Sequence, residues 1–460
     1  MSCAGPQGPR HLLRIALLLA MATALPALAA PPPAPSQPPH RAKAKVQAEA
    51  KAPPQTKAQA KRGKTPPAPA AKPTARAERP ARPAPAALPM RPAAGAEARL
   101  IEVYRLFGRG QSREALAAAQ KLVADQPNFQ LAQLVYGDLL AARLPPARRP
   151  SQARPDADPQ ALSELADESR RRLQALRERP PPGTVPSAFV ELAPSIRHAI
   201  AVDTSRSRLY LLENGPQGLQ LKADYYISVG KSGIGKQAEG DARTPLGIYH
   251  VTSNLDPKTL REFYGIGALP INYPNPYDVR RGRTGSGIWL HGTPRSQYAR
   301  APLSTDGCVV LANNDLQELI RRAQIGATPV VVAQNLQWTA PAQLQGDKQA
   351  FDKTLAQWLD ARAAGDAARL QKFHAPDFRR IGNKKTIDSA QGITEDIRAA
   401  NGQHLLLKDV SYLRWNGEDN TMVSSFGEVA AGQRTGRQRR QYWIRQGTEW
   451  RILQEEVSGS

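Results

Sequence analysis

The chain is nearly devoid of cysteine, and what little it has is informative. There are two, Cys3 and Cys308. Cys3 precedes an expected secretion signal, so Cys308 is the single thiol of the expected mature chain and an internal disulfide is excluded. In an oxidising compartment a free thiol is a liability unless it is buried or used. HExxH, CxxC and histidine pairs at helical spacing are missing as well, so no metal and no cofactor is expected. Past the N-terminal region, no run is apolar enough to span a membrane.

Basic residues, in contrast, abound. The net charge is +23, and it is unevenly placed: residues 31–91 carry thirteen Lys/Arg and two Glu. Before them, Arg10 and Arg14 followed by the apolar run Ile15 to Leu25 and by Ala27-Leu28-Ala29 read as a signal peptide at 1–29. An uncleaved anchor is the alternative. Residues 30–95, rich in Pro, Ala and Lys, hold too few large apolar side chains for a core and read as a disordered basic tether. Nucleic acid is not the expected partner, because aromatic interleaving is missing and the chain is expected to be exported. Anionic envelope polymers fit better, and a solvated spacer is the plain alternative.

Residues 96–145 carry apolar positions at helical spacing, with Ser112 as a capping candidate, and resemble a tetratricopeptide-type hairpin. It serves either for docking a partner or for packing on the next domain. Residues 146–194 read as a linker and a charged helix from Ala161 to Arg177. In 195–335 the period shifts to that of strands, among them Ala199–Asp203, Arg208–Leu212 and Thr328–Ala333, with one helix from Leu316 to Arg322 capped by Asn314 or Asp315. Residues 347–458 read as two helices followed by long strands, an α+β domain and a candidate for dimerisation.

The chemistry centres on Cys308, in Thr305-Asp306-Gly307-Cys308, seventeen residues after His291. A thiol must ionise to attack a carbonyl, and a neighbouring imidazole is the usual base. His198 and His250 sit on strands and fit that role less well than His291, whose following Gly292 allows close backbone approach. Gly307 permits a tight turn, so backbone N–H groups around Gly307 and Cys308 are candidates for holding an oxyanion. Either Asp306 or a backbone carbonyl near Gly292 would orient the imidazole. Arg243, Arg295 and Tyr298 are candidates for contacting the substrate. Arg243 would equally serve as a pin beside Asp241, and the loop of Arg295 and Tyr298 reads as a lid or as a solvated loop.

These residues resemble the L,D-transpeptidase (YkuD) catalytic domain, in which a histidine is followed, after roughly fifteen residues, by [Ser/Thr]-His-Gly-Cys. The Ser228-Val229-Gly230-Lys231 and Glu239–Tyr249 segments also resemble that family's glycine-rich approach to its site. The resemblance implies a mainly-β catalytic fold in a periplasmic enzyme that acts on peptidoglycan stem peptides through a cysteine thioester, in cell-wall organisation. Two positions depart from the pattern: Asp306 replaces the family's second histidine, and Val310 replaces an Asn or Arg. An acid beside the nucleophile favours an amine ligand over a carboxylate and holds the thiol protonated. Transpeptidation by an amine and hydrolysis by water, as in L,D-carboxypeptidases or amidases, both stay open, as does a non-catalytic wall-binding scaffold. The C-terminal domain resembles the nuclear-transport-factor-like (SnoaL-like) cone, by Trp358, Gly365-Asp366, Phe373, Pro376-Asp377-Phe378 and Tyr442-Trp443. No acid/base constellation is expected in it, and the nearby His374 and Asp377 read as a helix-end cap.

Overall fold

The structure, a computed structural model, describes residues 95–144, 158–382, 385–417, 419–430 and 436–459. The expected signal at 1–29, the tether through residue 94 and the linker at 145–157 lie outside the described residues.

Four helices come first: α1 (Ala96–Gly108), α2 (Ser112–Asp125), α3 (Gln130–Ala142) and α4 (Pro159–Arg177). Gly110, at φ +76°, turns the chain between α1 and α2. Ser112 does not cap α2; it is the first helical residue, and Gln111 precedes it without a side-chain bond. Asp158 does cap α4, accepting from the Gln160 N–H, with Pro159 in the first turn. Leu100, Val103, Leu116, Leu122, Phe129 and Val135 form one apolar core, which also takes in Tyr298 and Ala312 from the region that follows.

The strands β1 (Val185–Pro186), β2 (Phe189–Glu191), β3 (His198–Asp203), β4 (Arg208–Gly215), β5 (Gly218–Gly230), β6 (Gly247–His250) and β7 (Ala268–Pro270) come next. A short helix α5 (Pro276–Arg280) leads to β8 (Trp289–His291), β9 (Leu303–Thr305) and β10 (Val309–Leu311), then helix α6 (Asn313–Arg322), β11 (Pro329–Ala333) and β12 (Trp338–Thr339). The main sheet runs β6-β11-β3-β4-β5-β10-β8-β7, with β9 joined to β5. Asn313 begins α6 and Ala312 is its N-cap residue, so neither Asn314 nor Asp315 caps it.

The C-terminal part holds α7 (Pro341–Ala363), α8 (Ala367–Phe373), β13 (His374–Gly382), β14 (Lys385–Ile387), α9 (Ser389–Ala400), β15 (Leu406–Asn416), β16 (Asn420–Val429), β17 (Arg437–Gln446) and β18 (Glu449–Ser458). Its sheet is ordered β14-β13-β18-β17-β16-β15-β2. The edge strand β2 comes from the stretch read as linker, ahead of the main-sheet region; Leu413 pairs with Phe189 and Tyr412 with Glu191. Three residues are too few for periodicity to declare a strand, which is why the sequence did not reveal it.

Strand alternation explains the layering. Ile200, Val202, Leu209 and Leu211 point into the core of the main sheet. Their neighbours Ala199, Ala201, Tyr210 and Leu212 point the other way, onto Leu413, Val423, Tyr442 and Leu453 of the C-terminal sheet. Tyr412, Met422, Trp443 and Ile452, one position along, face Phe351, Leu355 and Trp358 of α7. Strands covered on both faces read as continuous apolar runs, as Ala199–Val202 does. The architecture is thus a helical region, a mainly-β domain and an α+β domain.

Candidate active site

β8 and β10 lie side by side and parallel, with Leu290 beside Val309 and His291 beside Val310. Leu290 and Val309 point into the sheet's core. Alternation therefore puts Trp289, His291 and Val310 on the opposite face, and Cys308, one residue before β10, continues that face. The two candidate catalytic side chains are diagonal neighbours on the same face of adjacent strands.

The turn that presents Cys308 is tightly built. Gly307 has φ +123°, and a Cβ there would lie 2.7 Å from the Arg243 carbonyl oxygen. Thr305 clips the turn: its Oγ1 donates to the Cys308 carbonyl at 2.7 Å and accepts from the Gly307 N–H at 3.1 Å. The Gly307 N–H is therefore engaged within the turn instead of being free for an oxyanion. Thr244 Oγ1 donates to the Gly307 carbonyl and accepts from the Gly230 N–H, each at 2.9 Å. A Cβ at Gly230 would lie 2.5 Å from the Ala242 carbonyl, so the glycine there is what lets the two segments meet.

The imidazole is fixed by a backbone carbonyl. His291 Nδ1 lies 2.8 Å from the Gly292 oxygen. A carbonyl only accepts, so Nδ1 carries the proton and Nε2 keeps a lone pair. Of the two orienting groups expected, the backbone carbonyl is the one observed. Asp306 is four-fifths exposed and pairs with Lys231 Nζ at 2.7 Å. Tyr264 lies edge-on to the imidazole at 5.0 Å and Phe263 at 6.0 Å. Asn313 joins this wall to the histidine strand: its Oδ1 accepts from the Ile266 and Thr293 N–H groups, and its Nδ2 donates to the Thr293 carbonyl. A Cβ at Gly292 would lie 2.1 Å from that Oδ1, a contact that requires glycine there.

Burial pushes His291 down to about 4; the Gly292 carbonyl opposes the shift and the Arg300 charge adds to it. Burial raises Cys308, opposed by the Trp289 backbone and by Arg300 and Lys236, while Asp306 adds to the rise. At neutral pH the resting pair is a thiol and a neutral imidazole. Such a pair can move the thiol proton to Nε2 as sulfur attacks a carbonyl.

The expected substrate contacts fare unevenly. Tyr298 is no lid residue: it is buried, its ring lies 4.2 Å from that of Phe129, and its N–H donates to the Asn128 carbonyl. Its apolar ring is spent on seating the helical region. Arg295 is exposed, and its carbonyl accepts from Asn128 Nδ2 at the same seam. The exposed Arg243 donates from Nη1 to the Ile234 carbonyl, and its backbone N–H donates to Asp241. The pin in that loop is Asp241 with the buried Lys236, at 2.7 Å.

Sequence reasoning passed over Arg300 and Asn313. Arg300 sits over the Phe263 ring at 4.1 Å, beside the histidine wall. In sequence it was one of several arginines in a loop, and nothing set it apart. Asn313 was masked by its place at a helix start, where a cap is the ordinary reading.

The C-terminal interior meets expectation in part. His374 is the C-cap residue of α8, its N–H donating to the Gln371 carbonyl, and its ring stacks on Phe378 and bonds Ser389 Oγ at 2.7 Å; Asp377 takes no part in the cap and pairs with Arg280. Arg362, Arg380 and Arg439 interlock with Asp396, Glu428 and Glu455, and all six are buried.

Residues 197–332 match the family model of YkuD, the L,D-transpeptidase catalytic domain. Among solved structures, Bd1075 of Bdellovibrio bacteriovorus is 22% identical with a TM-score of 0.49, covering 60% of this chain and 99% of its own. The helical cell shape determining protein Pgp2 of Campylobacter jejuni is 21% identical with a TM-score of 0.45, covering 56% of this chain and 91% of its own. An NTF2-like protein of Cytophaga hutchinsonii is 14% identical with a TM-score of 0.19, covering 25% of this chain and 98% of its own. No curated protein matches the sequence.

Proposed function

We propose that this chain, whose residues 197–332 are an L,D-transpeptidase-type catalytic domain, is an exported cysteine enzyme that remodels peptidoglycan by acyl transfer on its stem peptides. The observation that supports the reading is that Cys308, one residue before β10, and His291, on the neighbouring β8, share one face of the sheet, with Nδ1 anchored by the Gly292 carbonyl.

In the proposed reaction the Cys308 sulfur attacks the carbonyl of the amide that follows the diaminopimelate residue, and Nε2 of His291 takes the thiol proton as the C–S bond forms. The tetrahedral intermediate collapses, the C–N bond breaks, and the imidazolium returns its proton to the departing D-alanine amine. The thioester is then attacked by an acceptor, whose proton passes to Nε2 and on to the released sulfur. An amine acceptor gives a transpeptide cross-link; water gives an L,D-carboxypeptidase. Because the pair rests uncharged, proton transfer and attack belong to one step.

The test incubates the purified chain and its Cys308→Ala variant with tetrapeptide-stem muropeptides and follows products by mass spectrometry. Release of D-alanine that requires Cys308 is the expected result. New cross-links, or exchange with an added D-amino acid, identify an amine acceptor; shortened stems alone identify water. Absence of turnover, or turnover that survives Cys308→Ala, would sink the reading.

A further inference from the structure

Arg300 differs from the fully buried arginines among the described residues. Arg172, Arg208, Arg362, Arg380 and Arg439 each hold at least one carboxylate within ion-pair distance. Among the described residues no carboxylate does the same for Arg300. Its Nη2 donates to the Phe263 carbonyl at 3.2 Å, the guanidinium lies over the Phe263 ring, and Nε is enclosed without a hydrogen-bond partner. Burial works against its charge. A half-buried cation with unspent donors is costly to maintain unless something anionic arrives to meet it.

Its position is also fixed in advance. The Arg300 carbonyl accepts from Tyr226 Oη and Ser228 Oγ, both at 2.9 Å. Two residues earlier, Tyr298 is locked onto Phe129 and Asn128 of the helical region. The guanidinium therefore extends from backbone held on both sides. It opens on a cleft of about 480 Å³, whose walls are Phe263, Ser304 and the 294–301 loop on one side and Leu165 and Glu164 of α4 on the other. Phe263, over which the guanidinium lies, stands 6.0 Å from the His291 ring, which brings this side of the cleft toward the candidate catalytic pair.

We propose that Arg300 binds a carboxylate of the substrate in this cleft, so that the helical region forms part of the substrate site. The proposal rests on the stem-peptide reading above. A tetrapeptide stem offers two such carboxylates, that of the terminal D-alanine and that on the diaminopimelate side chain. Either would pair with the guanidinium while Phe263 keeps water from its face.

The experiment compares the full-length protein with Arg300→Gln and Arg300→Lys on three stem tetrapeptides. One has both carboxylates free, one is amidated at the terminus, and one is amidated at the side chain. Wild type should lose about 10- to 100-fold in kcat/KM on one of the two amides, the loss of one charge-assisted hydrogen-bonded pair. Arg300→Gln should lose a like factor on the free peptide and nothing further on that same amide, and Arg300→Lys should recover part of the loss. The amide that is penalised identifies the carboxylate. Indifference of the wild type to both amides, or an Arg300→Gln loss that is equal on all three peptides, would overturn the proposal. Should the wild type turn over no peptide, calorimetric binding to Cys308→Ala separates the two readings. Discrimination against one amide that vanishes in Cys308→Ala/Arg300→Gln keeps the carboxylate site and removes the acyl-transfer reading; no discrimination removes both.

Discussion

His291 and the carboxylates Glu428 and Glu455 inside the C-terminal domain are all starved of water and all lowered from their ordinary values, yet the first ends neutral and the others charged. Burial drives His291 down to about 4, toward its neutral form. Burial would raise Glu455, toward its neutral form, but Arg380 and Arg439 overcome it and hold that carboxyl down at about 2, in its charged form. Glu428 is likewise lowered by Arg439 and Arg362, and Arg439 is raised far above its ordinary range by the three acids around it. Desolvation is common to both places, so the partners make the difference. Where counter-charges close every contact, buried groups stay ionised and inert. Where they are withheld, as around His291, Cys308 and Arg300, the groups stay available for chemistry.

The contrast is sharpest if one side of it is broken. Arg439→Met leaves Asp396, Glu428 and Glu455 short of a cation and should cost about 3–5 kcal/mol of stability. Urea unfolding would measure that loss, while D-alanine release by the fraction still folded should be unchanged. A loss below about 1 kcal/mol would mean that the six charges rearrange freely.

Acid should separate the two regions next. His291 has a folded value below its unfolded value of 6.5, so between pH 6.5 and about 4 the unfolded chain binds the proton and the folded one does not. Stability contributed by the neutral histidine is thus complete above pH 6.5 and lost as pH falls through that window, by about 3 kcal/mol at most. Glu455 has its folded value depressed from 4.5 to about 2, so its contribution persists lower and fades only between those values. Thermal melts from pH 7 to 2 should show two successive declines, and His291→Gln should lessen the first, to which the buried His250 and His374 also contribute, while leaving the second. The acid limb of kcat/KM should lie nearer pH 4 than 6.5, and Arg300→Gln should move it upward, because that charge helps depress the imidazole.

A third, smaller effect concerns the wall around the imidazole. Asn313→Ala removes the acceptor for Ile266 and Thr293 and the donor to the Thr293 carbonyl. A fall of about 10-fold in kcat/KM is expected, corresponding to one or two net hydrogen bonds, with little change in Tm. The smallest effect is expected at Asp306. Its pair with Lys231 is exposed, and exposed pairs contribute little. Asp306→Asn should leave stability unchanged and speed Cys308 alkylation by no more than about twofold, since Asp306 is a minor contributor to the raised thiol.

The sequence singled out Cys308 and His291 because the competition was thin: one thiol, three histidines in the domain, and glycines where backbone had to come close. The helical region and the long strands were legible for the same reason, since their apolar periods are sustained. Short strands such as β8 and β10 have no period to read, and they are the ones that set the face shared by His291 and Cys308. Tyr298 misled because an aromatic among arginines reads as a lid, whereas its contact with Phe129 exists only after residues far apart in sequence meet. The ionic interior of the C-terminal domain left a trace that went unread. On β17 the alternate positions Arg439, Gln441 and Trp443 are all buried, and a charged residue at a core-facing strand position asks for partners that only the fold reveals.

The pairing of β2 with β15 bears on how the chain comes to be assembled. Ala193 donates its N–H to Ser411 Oγ, 218 residues away in sequence. A strand placed ahead of the catalytic-type region thus waits, unpaired, until nearly the last elements of the polypeptide have been made. The C-terminal domain is therefore no cassette that could be cut off at residue 335 or moved to another protein intact. Its outermost strand travels with the other end of the molecule, so a truncated product would keep β2 without its mate, and the catalytic-type region is in effect threaded through the domain that follows it.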